Sequence, residues 1–376
     1  MNAKSLLPLL TALLITPAAT CAVSIALPSR SVAQTTVEPI APLEIEGKLN
    51  SSSQVLSDGS FYNVHTFEGQ AGQNVRIEME SEVFDTYLIL LASDGSRLAE
   101  NDDAVRTNSR IIVTLPTTGT YRLLANSYAA GETGNYSLTI RSASTEEVMA
   151  AAQLEEVNRL FALNQFEEVV SIAEEALRLS QEIGDRRAQV VILDIQALAL
   201  RQLGQYEQSI VLIDQGLALA QENERARFLS RKCFVVYLLG EHEAAIGLAQ
   251  DALTLAETYS SITDQMNVLL CMGGAYIELG QHEQAVELLQ QVLTIAEENN
   301  SIEGQQVALL NLGWAYQSAG QYEQAIEFFQ RALPFAQQLQ DPLDEAWVIG
   351  NLGYTYGYVG RYEEGLDLLS RALEDV

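Results

Sequence analysis

The chain has 376 residues, 48% of them apolar, and carries 50 acids against 21 bases, a formal charge of −29. That length allows about two domains, and the apolar content supports a packed core rather than a disordered chain. The acidity argues against nucleic acid and anionic membrane surfaces as partners, because both are held by clustered Lys and Arg.

The first segment reads as a targeting signal. Lys4 precedes a largely apolar run from Leu6 to Leu27, and Ser31-Val32-Ala33 is a small-x-small cleavage signal before Gln34. The rival is an uncleaved anchor, since about 20 apolar residues span a bilayer. Pro8, Pro17 and the cleavage site favour the signal peptide, and Ala18-Ala19-Thr20 ahead of Cys21 fits a lipoprotein signal poorly. The expectation is an exported chain cleaved after Ala33, periplasmic, secreted or at the cell surface. It would keep Cys233 and Cys271, too few for a disulfide scaffold. Residues 34–42, with Pro39 and Pro42, read as an extended leader.

Residues 43–142 alternate on a period of two. "NVRIEMES" (74–81) puts Val75, Ile77 and Met79 on one face, and "GNYSLTI" (134–140) does the same with Tyr136, Leu138 and Ile140. "DTYLILLASDGSRLAE" (85–100) reads as strand, Asp94-Gly95 turn, strand. "RIIVTLPTTGTYRLLANS" (110–127) repeats the device, with its turn near Pro116–Gly119. Short alternating strands between Gly, Asn and Asp turns predict an antiparallel β-sandwich. The stretches "FDTYLILLASDGSRLAENDD" (84–103) and "TGTYRLLANSYAAGETGNYSLTI" (118–140) resemble the bacterial pre-peptidase C-terminal domain. The resemblance implies an accessory module of secreted proteins, without catalysis of its own. The segment also resembles collagen-binding domains of bacterial collagenases, some of which hold calcium. Asp85, Asn101, Asp102 and Asp103 therefore have two readings. They are oxygen ligands for calcium, although fewer than its usual six to eight, or they form a solvated turn. No other cofactor is expected.

The period changes at Ser144, where "SASTEE" offers Ser144 as N-cap and Glu147 as its capping-box partner. From 143 to 376 the pattern is helical, with 36 acids against 12 bases, compared with 14 against 7 in 34–142. It also repeats. Gly204, Gly240, Gly280, Gly320 and Gly360 recur every 36 or 40 residues, with Asn164 in the equivalent place. Two positions after each stand Phe166, Tyr206, His242, His282, Tyr322 and Tyr362. Twelve positions after stand Ala176, Gly216, Ala252, Val292, Ala332 and Ala372. The glycine ends one helix in a left-handed turn, the ring wedges the hairpin open, and the small residues admit close approach. Each hairpin then exposes an apolar face that only the next can cover, so the units stack into an α-solenoid.

This pattern resembles the tetratricopeptide repeat family over roughly residues 148–376, as six helical hairpins. Its 40-residue period is similar to the long-helix subtype of kinesin light chains and LGN-type adaptors. The resemblance implies a scaffold that holds an extended peptide or partner segment in a concave groove lined by the first helix of each hairpin. Projecting those helices inward selects Arg227, Arg231, Phe234 and Tyr237, then Asn267, Leu270 and Cys271, then Asn311, Trp314 and Gln317, then Trp347, Asn351, Tyr354 and Tyr358. Asn311 and Asn351 stand nine before their turn glycines, where the resemblance implies an amide that clamps a peptide backbone. The competing reading packs these aromatics between repeats. The surrounding acidity favours a neutral or basic segment.

At the end, Leu366, Leu369 and Leu373 form an apolar edge, expected to serve self-association or a partner. No Ser-His-Asp set, G-x-S-x-G elbow, P-loop or H-E-x-x-H appears. His242 and His282 take aromatic wedge positions, so the chain reads as a binding protein and not an enzyme. The alternative is an accessory subunit of a secreted peptidase or cell-surface assembly, in which the sandwich is the working module.

Overall fold

The computed structural model describes residues 39–101, 108–259, 261–340 and 342–374. The signal-peptide reading of residues 1–33, most of the leader, and Asp102 and Asp103 lie outside them. The described residues form an antiparallel β-sandwich followed by a helical solenoid.

One sheet has the order β1-β9-β4-β7, from β1 (Leu43–Leu49), β9 (Gly134–Ser142), β4 (Asn74–Glu80) and β7 (Ser109–Thr114). The other has the order β2-β3-β8-β5-β6, from β2 (Gln54–Val55), β3 (Phe61–Gly69), β8 (Gly119–Ser127), β5 (Thr86–Leu91) and β6 (Arg97–Asn101). The alternation read from the sequence sorts the faces. Val75, Ile77 and Met79 of β4 and Tyr136, Leu138 and Ile140 of β9 meet Leu88, Leu90, Tyr121 and Leu123 of the opposite sheet in one buried core. The leader is pinned where it meets the sandwich: the Ile40 N–H donates to Ser142 Oγ at 2.7 Å, and Ile40 packs on this core.

Twelve helices follow among the described residues, paired as α1 (Thr145–Ala162) with α2 (Phe166–Glu182), α3 (Arg186–Gln202) with α4 (Tyr206–Leu219), and α5 (Glu222–Leu238) with α6 (His242–Thr258). Then come α7 (Ile262–Glu278) with α8 (His282–Glu298), α9 (Ile302–Ser318) with α10 (Tyr322–Leu339), and α11 (Pro342–Tyr358) with α12 (Tyr362–Glu374). All five turn glycines have positive φ, and Asn164 joins them at 56°. The wedge rings pack on the C-terminal ends of first helices, of their own hairpin or of the next. Phe166 meets Phe161 edge-on, His242 lies 5.5 Å from Tyr237, and Tyr322 stacks on Tyr358 at 4.6 Å. Small residues sit where helices touch: a Cβ on Gly313 would come within 2.4 Å of the Phe329 ring.

Two features go beyond the sequence reading. Cys233 and Cys271, both buried, are joined in a disulfide with Cα atoms 6.4 Å apart. Cys271 therefore faces α5 and not the groove. Cys233 stands seven before its turn glycine, where later hairpins have Gly273, Gly313 and Gly353. Its partner helix offers Ala249 where theirs offer Leu289, Phe329 and Leu369, which leaves room for sulfur.

The second feature joins sandwich to solenoid. Ser144 and Glu147 form the expected capping box. Glu147 also accepts from Arg76 of β4 at 2.8 Å and Arg141 of β9 at 2.6 Å. Beside it, Arg110 of β7 bridges Glu78 at 2.9 Å and Asp185, the N-cap of α3, at 2.5 Å. These charges stand on the outer face of the four-stranded sheet because they alternate with its core residues.

Candidate functional site

The residues singled out from the sequence lie on the first helices of successive hairpins. Those helices pack side by side, so equivalent positions form rows. Asn311 and Asn351 make one row and share one arrangement. Each amide Nδ2 donates to the carbonyl four residues earlier, Val307 or Trp347, at 2.8 Å. One N–H is thus held by the residue's own helix, and an amide so placed keeps its second N–H and its Oδ1 for a ligand.

The aromatic row becomes more exposed toward the last hairpin. Trp314 is half-buried and packs on the core around α9, whereas Trp347, Tyr354 and Tyr358 are 44%, 51% and 51% exposed. Tyr354 and Tyr358 share a hydroxyl hydrogen bond of 2.7 Å, with rings edge-on at 5.0 Å. That bond, more than burial, raises the Tyr358 phenol above its usual range. Tyr354 and Tyr358 also line an apolar cleft of about 400 Å³, with Gly353, Gly357 and Gly365 among its lining and Tyr362, Leu366 and Leu369 on the α12 side. The aromatic row and the apolar edge, read separately from the sequence, thus meet in one cleft. Gln317 is engaged elsewhere. Its Nε2 donates to the buried Thr355 Oγ1 at 2.7 Å across the seam between α9 and α11.

At the other end of the row the chemistry is cationic. Arg231 Nε donates to Asp194 of α3 at 3.2 Å, and Arg227 stands one turn earlier on α5, exposed. Phe234 and Tyr237 are half-buried in the core around α5 and α7, where Tyr237 packs near Gly274. Burial raises the Tyr237 phenol, and Glu278 adds to the effect. Asn267 is half-buried on α7. Arg201 of α3 was not singled out, although three before the turn glycine two of its equivalents, Tyr237 and Gln317, were; Ile277 and Gly357 take the same place in the other hairpins. It is half-buried, and desolvation, then the charge of Arg231, lower its pKa. The available signal was the distribution of bases among the first helices.

In the sandwich, Asp85 precedes β5 and Asn101 ends β6 opposite Leu88, with its Oδ1 accepting the Arg110 N–H at 2.9 Å. Among the described residues no group of three or more His, Cys, Asp or Glu is placed to hold a metal ion, and no helix is long and apolar enough to cross a membrane.

Comparison with known proteins matches residues 61–127 to the bacterial pre-peptidase C-terminal domain and residues 264–338 to the tetratricopeptide repeat. Residues 187–243 match anaphase-promoting complex subunit 5. No curated protein matches the chain. Among solved structures it is similar to BtubC (BKLC) from P. vanneervenii, with 19% identity, 58% of this chain and 90% of that chain covered, and a TM-score of 0.47. A Rap protein complexed with Competence and Sporulation Factor gives 15% identity, 61% and 76% coverage, and a TM-score of 0.47. NprR in complex with its cognate peptide NprX gives 17%, 62% and 67%, and 0.48.

Proposed function

We propose that this chain, which joins a pre-peptidase C-terminal sandwich to tetratricopeptide-type hairpins, is an exported, non-catalytic scaffold that captures an extended peptide along its first helices. One observation carries this reading: Asn311 and Asn351 repeat the same amide arrangement one hairpin apart, beside a row of exposed aromatic rings. A peptide backbone presents N–H and C=O groups at regular intervals, which suits amides repeated at regular spacing. Exposed Trp and Tyr supply large contact area at little entropic cost, as binding surfaces do elsewhere. Helices α7, α9 and α11 carry no Lys or Arg, so this half suits a neutral or basic segment. The α11–α12 cleft continues the row and suits an apolar side chain of the same peptide.

Both tryptophans of the chain lie on this face, so their fluorescence reports binding directly. Replacing Asn311 and Asn351 by Ala is expected to weaken binding of randomised peptide pools by about tenfold or more, at about 1 kcal/mol per lost hydrogen bond, with an unchanged helical circular dichroism signal. Unchanged affinity would remove the groove reading. A dimer seen by light scattering and abolished by Leu366→Glu would assign the cleft to a second copy of the chain instead.

The four-stranded sheet gives part of its outer face to the solenoid through Arg76, Arg110 and Arg141. This supports a positioning role for the sandwich over the alternative in which it is the working module.

A further inference from the structure

Both sulfurs of the Cys233–Cys271 disulfide are sealed inside the solenoid. Cys233 is 0% exposed and Cys271 is 1% exposed. Residues of three helices surround them: Val236 of α5, Ala245, Ala249 and Ala252 of α6, and Val268 and Met272 of α7 share their buried cluster. Thiol–disulfide exchange requires a thiolate to reach a sulfur atom, and its rate depends on that access. Walls on these helices deny an outside thiolate the approach, so the bond is neither made nor broken while the helices are packed.

The bond also crosses a seam. It runs from α5 of the third hairpin to α7 of the fourth, between cysteines 38 residues apart. Hairpins of a solenoid touch only their neighbours, so one seam can open while the others stay packed. Opening the α5–α7 seam uncovers both sulfurs together. Cys21 lies in the segment read as a signal peptide, so the cleaved chain has one possible pairing and needs oxidation without reshuffling.

We infer that this chain is a folding substrate of a disulfide-bearing oxidant, which joins Cys233 to Cys271 while the α5–α7 seam is open, and that closure of the seam then makes the bond inert. One cysteine, as thiolate, attacks a sulfur of the oxidant, forms a mixed disulfide and expels one oxidant thiolate. The other cysteine, as thiolate, attacks the chain-side sulfur of that mixed disulfide and expels the second oxidant thiolate. The two cysteines lose two electrons and two protons, and the oxidant's disulfide becomes two thiols. A cytosol kept reducing by glutathione and thioredoxin opposes this step, which supports the exported reading. None of it depends on what the groove holds.

Refolding of the full chain tests this, with glutathione disulfide as the oxidant and maleimide labelling of free thiols read by mass. Reduced chain, unfolded in urea, is diluted into buffer that contains the oxidant from the start, or that receives it once the helical circular dichroism signal has returned. Early oxidant is expected to consume both thiols about a hundredfold faster than late oxidant, as a seam open about 1% of the time dictates. Equal rates in the two orders, with the helical signal regained, would overturn the early bond. In reverse, the native oxidised chain should resist dithiothreitol about a hundredfold longer than the same chain unfolded in urea. Urea below the unfolding transition should speed that reduction. Native chain reduced as fast as unfolded chain would overturn the sealed seam. If the reduced chain regains no helical signal, the two orders of addition become equivalent and the reduction rates decide alone.

Discussion

Replacing Glu147 by Gln tests whether sandwich and solenoid are coupled by charge. The carboxylate accepts from Arg141 and Arg76, and from the Ser144 N–H at 2.9 Å. Hydrogen bonds from Arg141 lower its pKa most, against the opposing effect of burial, and the Ser144 N–H and Arg76 add to the lowering, bringing it from 4.5 to about 2. A lowering of that size corresponds to about 3.4 kcal/mol at 1.36 kcal/mol per unit. Arg141 is partly exposed, so solvent screening reduces the figure to about 2 kcal/mol. Because the folded-state pKa is depressed, the stabilisation is fully present above pH 4.5 and is lost as pH falls through about 2. At pH 3.5 about 60% of it remains. Calorimetry at constant ionic strength should show Glu147→Gln melting roughly 4–8 °C below the parent at pH 7, with the gap narrowing at pH 3.5. A gap that does not change with pH, or no gap at pH 7, would refute the charge argument.

Two glycines on first helices should respond in opposite directions. Gly313→Ala drives a methyl group into Phe329 and should cost about 1–3 kcal/mol in urea denaturation. Gly350→Ala meets open space on α11 and should stabilise by about 0.5–1 kcal/mol. The Cys233→Ala, Cys271→Ala double variant removes a cross-link of 38 residues' separation and should lose about 2–4 kcal/mol in the same assay. Thiol titration of the unfolded, unreduced protein should find neither cysteine reactive.

Most of the frame was legible because it is local. A turn glycine, a ring two residues on and a small residue twelve on are all consequences of one hairpin's geometry, and one hairpin lies within 40 residues of sequence. Ser144 and Glu147 were legible for the same reason, being three residues apart. The bonds that cross between hairpins were not. Cys233 stands seven before its turn glycine and Cys271 nine before the next, so no position in the repeat pairs with itself. The register that joins them exists only once two hairpins stack. Gln317 looked like a groove residue by projection, but its amide reaches sideways to Thr355, which a single helix cannot reveal.

The same distinction explains Arg201. Repeat alignment hides it, because its equivalents Tyr237, Ile277, Gln317 and Gly357 carry no charge. Composition hides it too, since one cation is lost in a charge of −29. It stands out only in space, where Asp194 accepts a hydrogen bond from Arg231 and acts on Arg201 through its charge alone. In a solenoid, what the repeats share describes the frame, and a residue that departs from the shared chemistry can be read only against the neighbours that stacking brings to it. Ala249 leaves room for the Cys233 sulfur in this way, and Asp194 sets its charge against both Arg231 and Arg201.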